Sequence, residues 1–180
     1  WLSLSSIHSH FAALFVVANG FAFAMTALLY LVGRRSSFGQ EQSTGPLAAL
    51  KGMFFGVERN PAWFGVDLKM FSYWPSVIGL ALINASFAAV QYETHGSVSD
   101  AMILYQTFTF LYVLNYFHFE HGMLFTWDVI AERFGWMLVW GDYVLVPFFY
   151  SLPGWFLIDR IEPLPMVTVV ALAGLYLLGF

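Results

Sequence analysis

Long apolar runs constrain the fold of this chain more than any other feature. Residues 11–33 read FAALFVVANGFAFAMTALLYLVG and carry no charged side chain. About 20 such residues form a helix that crosses a bilayer, and helices keep every backbone polar group paired in hydrocarbon. Comparable runs begin near residues 74, 101, 135 and 164 and extend to about 92, 119, 158 and 180. We therefore predict an all-α fold, a polytopic membrane helix bundle with about five membrane segments.

The composition agrees with a membrane protein. Charged residues make up 10% of the chain, whereas soluble domains carry about a quarter. The net charge of −4 comes without a basic block, so no nucleic-acid partner is expected. The absence of cysteine excludes disulfides and cysteine-bound metals within these residues. Because the chain starts at Trp1 and ends inside an apolar run, we expect residues 1–180 to be a single membrane domain and a fragment of a longer protein.

The distribution of Lys and Arg predicts the orientation in the membrane. Five of the seven lie in the polar loop 34–71, whose SSFGQEQSTGP stretch we expect to be its most flexible part. Arg133 falls on the same side if the spans alternate, and Arg160 falls on the other. Cytoplasmic loops carry the excess of positive charge. Loop 34–71 is therefore predicted to be cytoplasmic.

An acidic stretch interrupts the apolar sequence at residues 118–142, HFEHGMLFTWDVIAERFGWMLVWGD. We predict an interfacial or buried helix over 120–134, in which Asp128 and Glu132, four residues apart, share one face. Glu120 and Glu132 also suit carboxylates at the membrane interface. For Asp128 and Asp142 we favour a functional role, because a buried carboxylate otherwise only costs stability.

Other polar and aromatic residues in this region have plainer explanations beside the functional ones. His118, Glu120 and His121 lack the further ligands that a metal site needs, so no metal is expected. Trp127, Trp136 and Trp140 suit interface anchors or the walls of a site for a flat apolar ligand. Asn115 lies inside an apolar span, where an amide commonly joins two helices. The residues alone therefore indicate a membrane enzyme or transporter with an acidic, aromatic site.

Three stretches resemble the sterol reductase family, which includes the C-14, delta-7 and delta-24(24(1)) reductases and the membrane domain of lamin B receptor. They are GVERNPAWFGVDLKMF at 56–71, INASFAAVQYETHGSVS at 83–99, and the run from LYVLNYFHFEHG to SLPGWFL at 111–157. FTWDVIAERFG, together with Asn115, is most similar to the delta-24(24(1)) branch. WGD followed by VPFFYSLPG looks more like the delta-7 branch. Ala131 and Glu132 depart from the His-Asp of the C-14 and delta-7 enzymes.

The resemblance implies an enzyme that uses NADPH to reduce a carbon–carbon double bond of a sterol. It implies a bundle of about ten helices, of which this chain covers the middle part, in the endoplasmic reticulum or a bacterial inner membrane. Most NADPH-binding residues would lie beyond Phe180, so we expect this chain alone to be inactive. A non-catalytic sterol-binding or scaffold domain of the lamin B receptor type is the alternative, and a transporter with a carboxylate proton relay is a third reading.

Such a reduction needs a proton donor in a dry pocket beside the sterol. Asp142 and Asp128 are the first candidates for the acid or its relay, followed by Glu120, Tyr112 and Tyr150. The predicted sterol contacts are Asn115, Trp127, Trp136 and Trp140. Membrane lipid is the remaining expected partner.

Overall fold

The computed structural model describes residues 3–36 and 45–179, and within them the chain is mostly helical. Most of the SSFGQEQSTGP stretch lies outside the described residues. The elements in chain order are α1 (Ser6–Ser9), α2 (Phe11–Gly33), α3 (Pro46–Phe55), β1 (Ala62–Trp63), β2 (Val66–Asp67), α4 (Leu68–His95), α5 (Asp100–His118), a 3-10 helix (Glu120–Phe125), α6 (Trp127–Ile130), α7 (Trp136–Trp140), a π-helix (Gly141–Phe149), α8 (Leu152–Leu157) and α9 (Met166–Gly179). The two strands form one antiparallel hairpin. The all-α class is confirmed.

Two of the described helices, α2 and α4, are long and apolar enough to cross a membrane. The 28 residues of α4 span about 42 Å at 1.5 Å per residue, more than the roughly 30 Å of bilayer hydrocarbon. Asp67 caps its first turn by accepting hydrogen bonds from the backbone of Lys69 and Met70 at 2.9 and 3.0 Å. Gly96, with φ 75°, ends the helix. Of the five membrane segments predicted, the described residues therefore support two.

The segment predicted as one span over 135–158 is instead divided into α7, the π-helix and α8. Pro147 lies inside the π-helix and has no N–H to donate. It packs against α4, where a Cβ on Gly79 would lie 3.2 Å from the Cβ of Pro147. The irregular helix is therefore in close contact with α4 at Pro147.

The predicted helix over 120–134 is also wrong, because the segment is divided into the 3-10 helix, α6 and a non-helical stretch before α7. The backbone at Thr126 is extended, with ψ 156°, and α6 is only four residues long. The backbone N–H of Phe134 donates to the carbonyl of Glu58 at 2.8 Å. Asp128 and Glu132 therefore do not share the face of one continuous helix.

The core lies where α2, α4 and the π-helix meet. One cluster of buried side chains joins α2 to α7 and the π-helix, and a second joins α4 and α5 to the π-helix and the end of α8. The members of these clusters are Ala22, Leu29, Phe134, Val139 and Val144 in the first, and Ile83, Phe87, Met102, Phe148 and Ile158 in the second. The packing holds the start of the π-helix, with its acidic residue, against the first turns of α4.

The orientation can be tested at the two ends of α4. Residues 34–67 of the predicted loop precede this helix and the turn ETHGSVSD ends it, so we expect a cysteine at Ser43 to face the cytoplasm and one at Ser97 to face the opposite side. In sealed vesicles whose interior is the cytoplasmic side, an impermeant thiol reagent should label Ser97→Cys and spare Ser43→Cys. Equal labelling of the two variants before the vesicles are opened would show that the predicted orientation is wrong.

Candidate functional site

The buried carboxyl group of Asp142 lies against the first turns of α4. Asp142 is 6% exposed and occupies the first turn of the π-helix. Its Oδ2 is hydrogen-bonded to the hydroxyl of Ser72, which is itself fully buried. Ser72 lies 70 residues earlier in the chain. Asp142 therefore has a partner that its neighbours in sequence do not reveal.

The hydrogen bonds of Ser72 bear on the state of this carboxyl group. The Ser72 Oγ also lies 2.8 Å from the carbonyl oxygen of Lys69, which can only accept a hydrogen bond. A hydroxyl has one proton to donate. Both contacts are satisfied together when Ser72 donates to the carbonyl and a protonated Asp142 donates to Ser72. The arrangement suits a carboxyl group that stores a proton.

Lys69 anchors the acidic segment to the same turn of α4. Its side chain is fully buried, and its Nζ donates to the carbonyl oxygens of Asp128 and Glu132 at 2.6 and 2.7 Å. Within the described residues no carboxylate oxygen lies within 4.0 Å of this ammonium group. A buried ammonium normally costs stability unless its protons are hydrogen-bonded. Lys69 therefore fixes the backbone that carries Asp128, a role that the sequence pattern VDLKMF did not reveal.

Tyr73 brings Asp128 to the same place. Its hydroxyl donates to Asp128 Oδ2 at 3.3 Å, and it directly follows Ser72, the hydrogen-bond partner of Asp142, in the chain. The ring of Tyr116 on α5 lies 6.4 Å from the ring of Tyr73. The Tyr116 hydroxyl is buried and has no hydrogen-bond partner among the described residues. The structure thus gathers the two predicted aspartates around Lys69, Ser72 and Tyr73. We call these five residues the acidic cluster.

The other predicted catalytic residues lie outside the acidic cluster. Glu120 accepts a hydrogen bond from the indole N–H of Trp74 on an exposed part of α4. Tyr112 and Tyr150 line a cavity of about 420 Å³, together with Tyr105. The Tyr105 hydroxyl donates to the carbonyl of Tyr150 at 2.9 Å. Tyr112 and Tyr150 therefore line one cavity, and neither Asp128 nor Asp142 lines it.

The aromatic residues predicted to contact a sterol are dispersed. Trp136 and Trp140 stack with centroids 5.4 Å apart, and the Trp140 indole N–H donates to Asn19 Oδ1 at 3.0 Å. Trp127 is 68% exposed and donates to Glu132 Oε1 at 2.9 Å. Asn115 is half-buried on α5. Among these, the Trp136–Trp140 stack lies nearest in sequence to Asp142.

An apolar groove of about 580 Å³ runs between α2, α4 and the π-helix. Tyr143, the neighbour of Asp142, and Pro75, one turn after Ser72, both line it. The rest of its wall is hydrocarbon or aromatic, and its lining includes Leu14, Phe21, Leu82, Pro147 and Phe148. The groove has a size and polarity suited to a rigid apolar molecule, and it lies beside the acidic cluster.

Three of the described basic side chains make separate contacts and do not converge on a site for the phosphates of NADPH. The phosphates of a dinucleotide need several converging cations or backbone N–H groups. Lys69 is buried and donates to carbonyls, while Arg34 packs on Tyr30 and Arg160 on Phe156 at separate helix ends. Within residues 3–36 and 45–179, no three His, Asp or Glu side chains converge to hold a metal ion.

The structure is that of a helical protein with long apolar helices, as in membrane proteins. These helices surround a buried cluster of carboxyl, hydroxyl and ammonium groups. The chain belongs to the ergosterol biosynthesis ERG4/ERG24 family, which it matches over residues 1–180. The resemblance to the sterol reductases is thereby confirmed.

Relatives in this family carry sterol reductase names. A Delta(14)-sterol reductase of Methylotuvimicrobium alcaliphilum is 35% identical over all of this chain and 42% of its own length. A Delta(14)-sterol reductase of Arabidopsis thaliana is 39% identical over 89% of the chain and 44% of its own length. The 7-dehydrocholesterol reductase of Xenopus laevis is 38% identical over 69% of the chain and 27% of its own length. The chain spans less than half the length of these relatives.

Proposed function

We propose that this chain forms the proton-donating part of a membrane enzyme that reduces a carbon–carbon double bond of a sterol, with Asp142 as the acid. The observation that carries the proposal is the buried Asp142–Ser72 pair beside an apolar groove. The names of the relatives, which are sterol reductases, support the substrate class. The two long apolar helices suit a multi-pass protein of the endoplasmic reticulum or a bacterial inner membrane.

An isolated alkene accepts a hydride poorly, so the acid is needed first. Transfer of a proton to one alkene carbon leaves positive charge at the other, which the hydride then neutralises. A bound NADPH would supply that hydride, and its binding residues would lie mainly outside those described. Asp142 suits the proton-donating step because it is buried and its neighbour Ser72 already has an acceptor in the Lys69 carbonyl. Loss of the proton would leave a carboxylate that Ser72 can stabilise by donating to it.

The groove supports a position for the substrate. A sterol is flat, rigid and mostly hydrocarbon, and the groove lining is apolar apart from Tyr143. A sterol in the groove would lie along Pro75 and Pro147, which come from the two elements that also carry Ser72 and Asp142. The Trp136–Trp140 stack lies in the helix just before Asp142, where it would limit access of water to the acid.

From the residues that differ between branches of the family, we propose that the reduced double bond is at the 24(24(1)) or the 7 position. FTWDVIAERFG favours the 24(24(1)) position and WGD with VPFFYSLPG favours the 7 position. The relatives are named for the 7 and the 14 positions, so the 14 position is the third double bond to be tested.

An assay of the full-length protein with NADPH and three sterols would test the function. The sterols would carry the 24(24(1)), 7 or 14 double bond singly, and mass spectrometry would detect a gain of two hydrogens. We expect reduction of one of the first two. Binding of a sterol without reduction of any of the three would instead support a scaffold of the lamin B receptor type.

A further inference from the structure

The apolar groove between α2, α4 and the π-helix has a single polar side chain in its lining. Among the described residues that form the groove, only Tyr143 carries a polar side-chain atom. The others are aliphatic residues, proline, glycine and phenylalanine. The groove therefore combines a long apolar surface with one hydroxyl-bearing side chain.

Tyr143 is held by its ring and not by its hydroxyl. The ring packs edge-on against the ring of Phe21 on α2, with centroids 4.8 Å apart and an interplanar angle of 66°. The side chain is half-buried, and within residues 3–36 and 45–179 its hydroxyl makes no hydrogen bond. Packing against α2 thus fixes the ring, while the hydroxyl remains available to a ligand.

Tyr143 also marks the end of the groove that lies beside the acid. Along α4 the lining begins at Pro75, one turn after Ser72, and extends to Ile83, which is about 12 Å at 1.5 Å per residue. Tyr143 packs against the cluster that joins α2 to α7, whereas Ile83 belongs to the second cluster. The hydroxyl-bearing side chain and the Asp142–Ser72 pair therefore lie at the same end of the groove.

We propose that the hydroxyl of Tyr143 binds the 3-hydroxyl group of the sterol and so determines which way round the sterol lies in the groove. The inference rests on the proposed function, since it presumes a sterol in that groove. A sterol carries one hydroxyl group, on its first ring, and is otherwise hydrocarbon. A hydroxyl buried without a partner costs free energy, and a tyrosine hydroxyl can donate to it or accept from it. A few polar groups at set positions commonly fix the orientation of an apolar ligand.

This orientation bears on which double bond is reduced. Tyr143 directly follows Asp142, and the Cα atoms of consecutive residues are about 3.8 Å apart. A sterol bound through Tyr143 has its first ring nearest the acid and its side chain farther along the groove. The 7 double bond lies in the adjoining ring, whereas the 24(24(1)) bond lies in the side chain at the opposite end of the molecule. Of the two positions proposed above, the anchor therefore favours the 7 position.

Binding of two sterols to the full-length protein tests the anchor. Both carry the 7 double bond, and one of them lacks the 3-hydroxyl group. In equilibrium binding of the radiolabelled sterols, we expect the wild type to bind the 3-hydroxysterol about tenfold more tightly, as for one hydrogen bond to a group otherwise left unpaired. Tyr143→Phe should bind both with the weaker affinity. In turnover, its KM for the 3-hydroxysterol should rise with little change in kcat, because this hydrogen bond is the same in the ground state and the transition state.

Two further variants complete the test. Tyr92→Phe, near the other end of α4 and 60% exposed, should keep the preference for the 3-hydroxysterol. Tyr143→Leu takes the place of Tyr143→Phe if that variant does not fold. Equal affinity of the wild type for the two sterols, a preference that survives without the Tyr143 hydroxyl, or reduction of the 24(24(1)) bond alone would overturn the anchor. Failure of the proposed function is a separate result, in which the wild type still prefers the 3-hydroxysterol but reduces no double bond.

Discussion

Replacement of Asp142 by Asn should lower the turnover of the full-length protein by about two to four orders of magnitude, the usual range for a lost general acid. The amide keeps the size of the side chain and can still hydrogen-bond to Ser72, but it has no proton to donate to an alkene. Thermal stability should change little, because the amide, like the protonated carboxyl group, is neutral and can donate a hydrogen bond to Ser72. The measurement is loss of the sterol double bond by mass spectrometry, alongside thermal unfolding in detergent.

Glu132→Gln is the matched control for that substitution. Glu132 is also a carboxylate of the acidic stretch, but its side chain accepts from the exposed Trp127 and its carbonyl, which the substitution leaves in place, contacts Lys69. We expect its turnover to remain near that of the wild type. Near wild-type turnover in Asp142→Asn would show that Asp142 is not the acid. If Asp142→Asn does not fold, the carboxyl group serves the packing of the π-helix on α4 instead.

Gly135→Ala should destabilise the protein by about 3 kcal/mol or more, at the upper end of the range for overpacked sites. A Cβ on Gly135 would lie 2.1 Å from the backbone N of Gly56 and 2.5 Å from the carbonyl carbon of Phe55. These are backbone atoms, so no change of side-chain rotamer relieves the clash. The end of α3 and the start of α7 would have to separate, and the π-helix that carries Asp142 follows directly after α7.

Gly20→Ala is the control for this second substitution. Gly20 lies inside α2, and a Cβ there would meet no atom within 4 Å. Alanine also favours a helix over glycine by up to about 1 kcal/mol. Thermal unfolding of the purified variants should therefore separate them, with Gly135→Ala well below the wild type and Gly20→Ala at or above it. Unfolding of both at the wild-type temperature would contradict the close approach of the two backbones.

The sequence by itself determined the elements whose cause is local. The span predicted over 11–33 is the helix Phe11–Gly33. An apolar stretch of that length is helical because a helix pairs its backbone polar groups within the stretch itself. The family could also be identified from three quoted stretches, and the match over residues 1–180 agrees with it. Asp128 and Asp142 stood out because carboxyl groups are rare and costly among apolar residues.

Only the tertiary structure decided how the carboxyl groups are used. Ser72 and Asp142 are 70 residues apart, and Lys69 and the Asp128 carbonyl are 59 apart. No periodicity links such distant positions, because periodicity reports the face of one element and not its neighbour in space. The predicted helix over 120–134 was wrong for the same reason. Lys69 and Glu58 bind its backbone groups from outside, and these contacts compensate for the helical hydrogen bonds that the segment lacks.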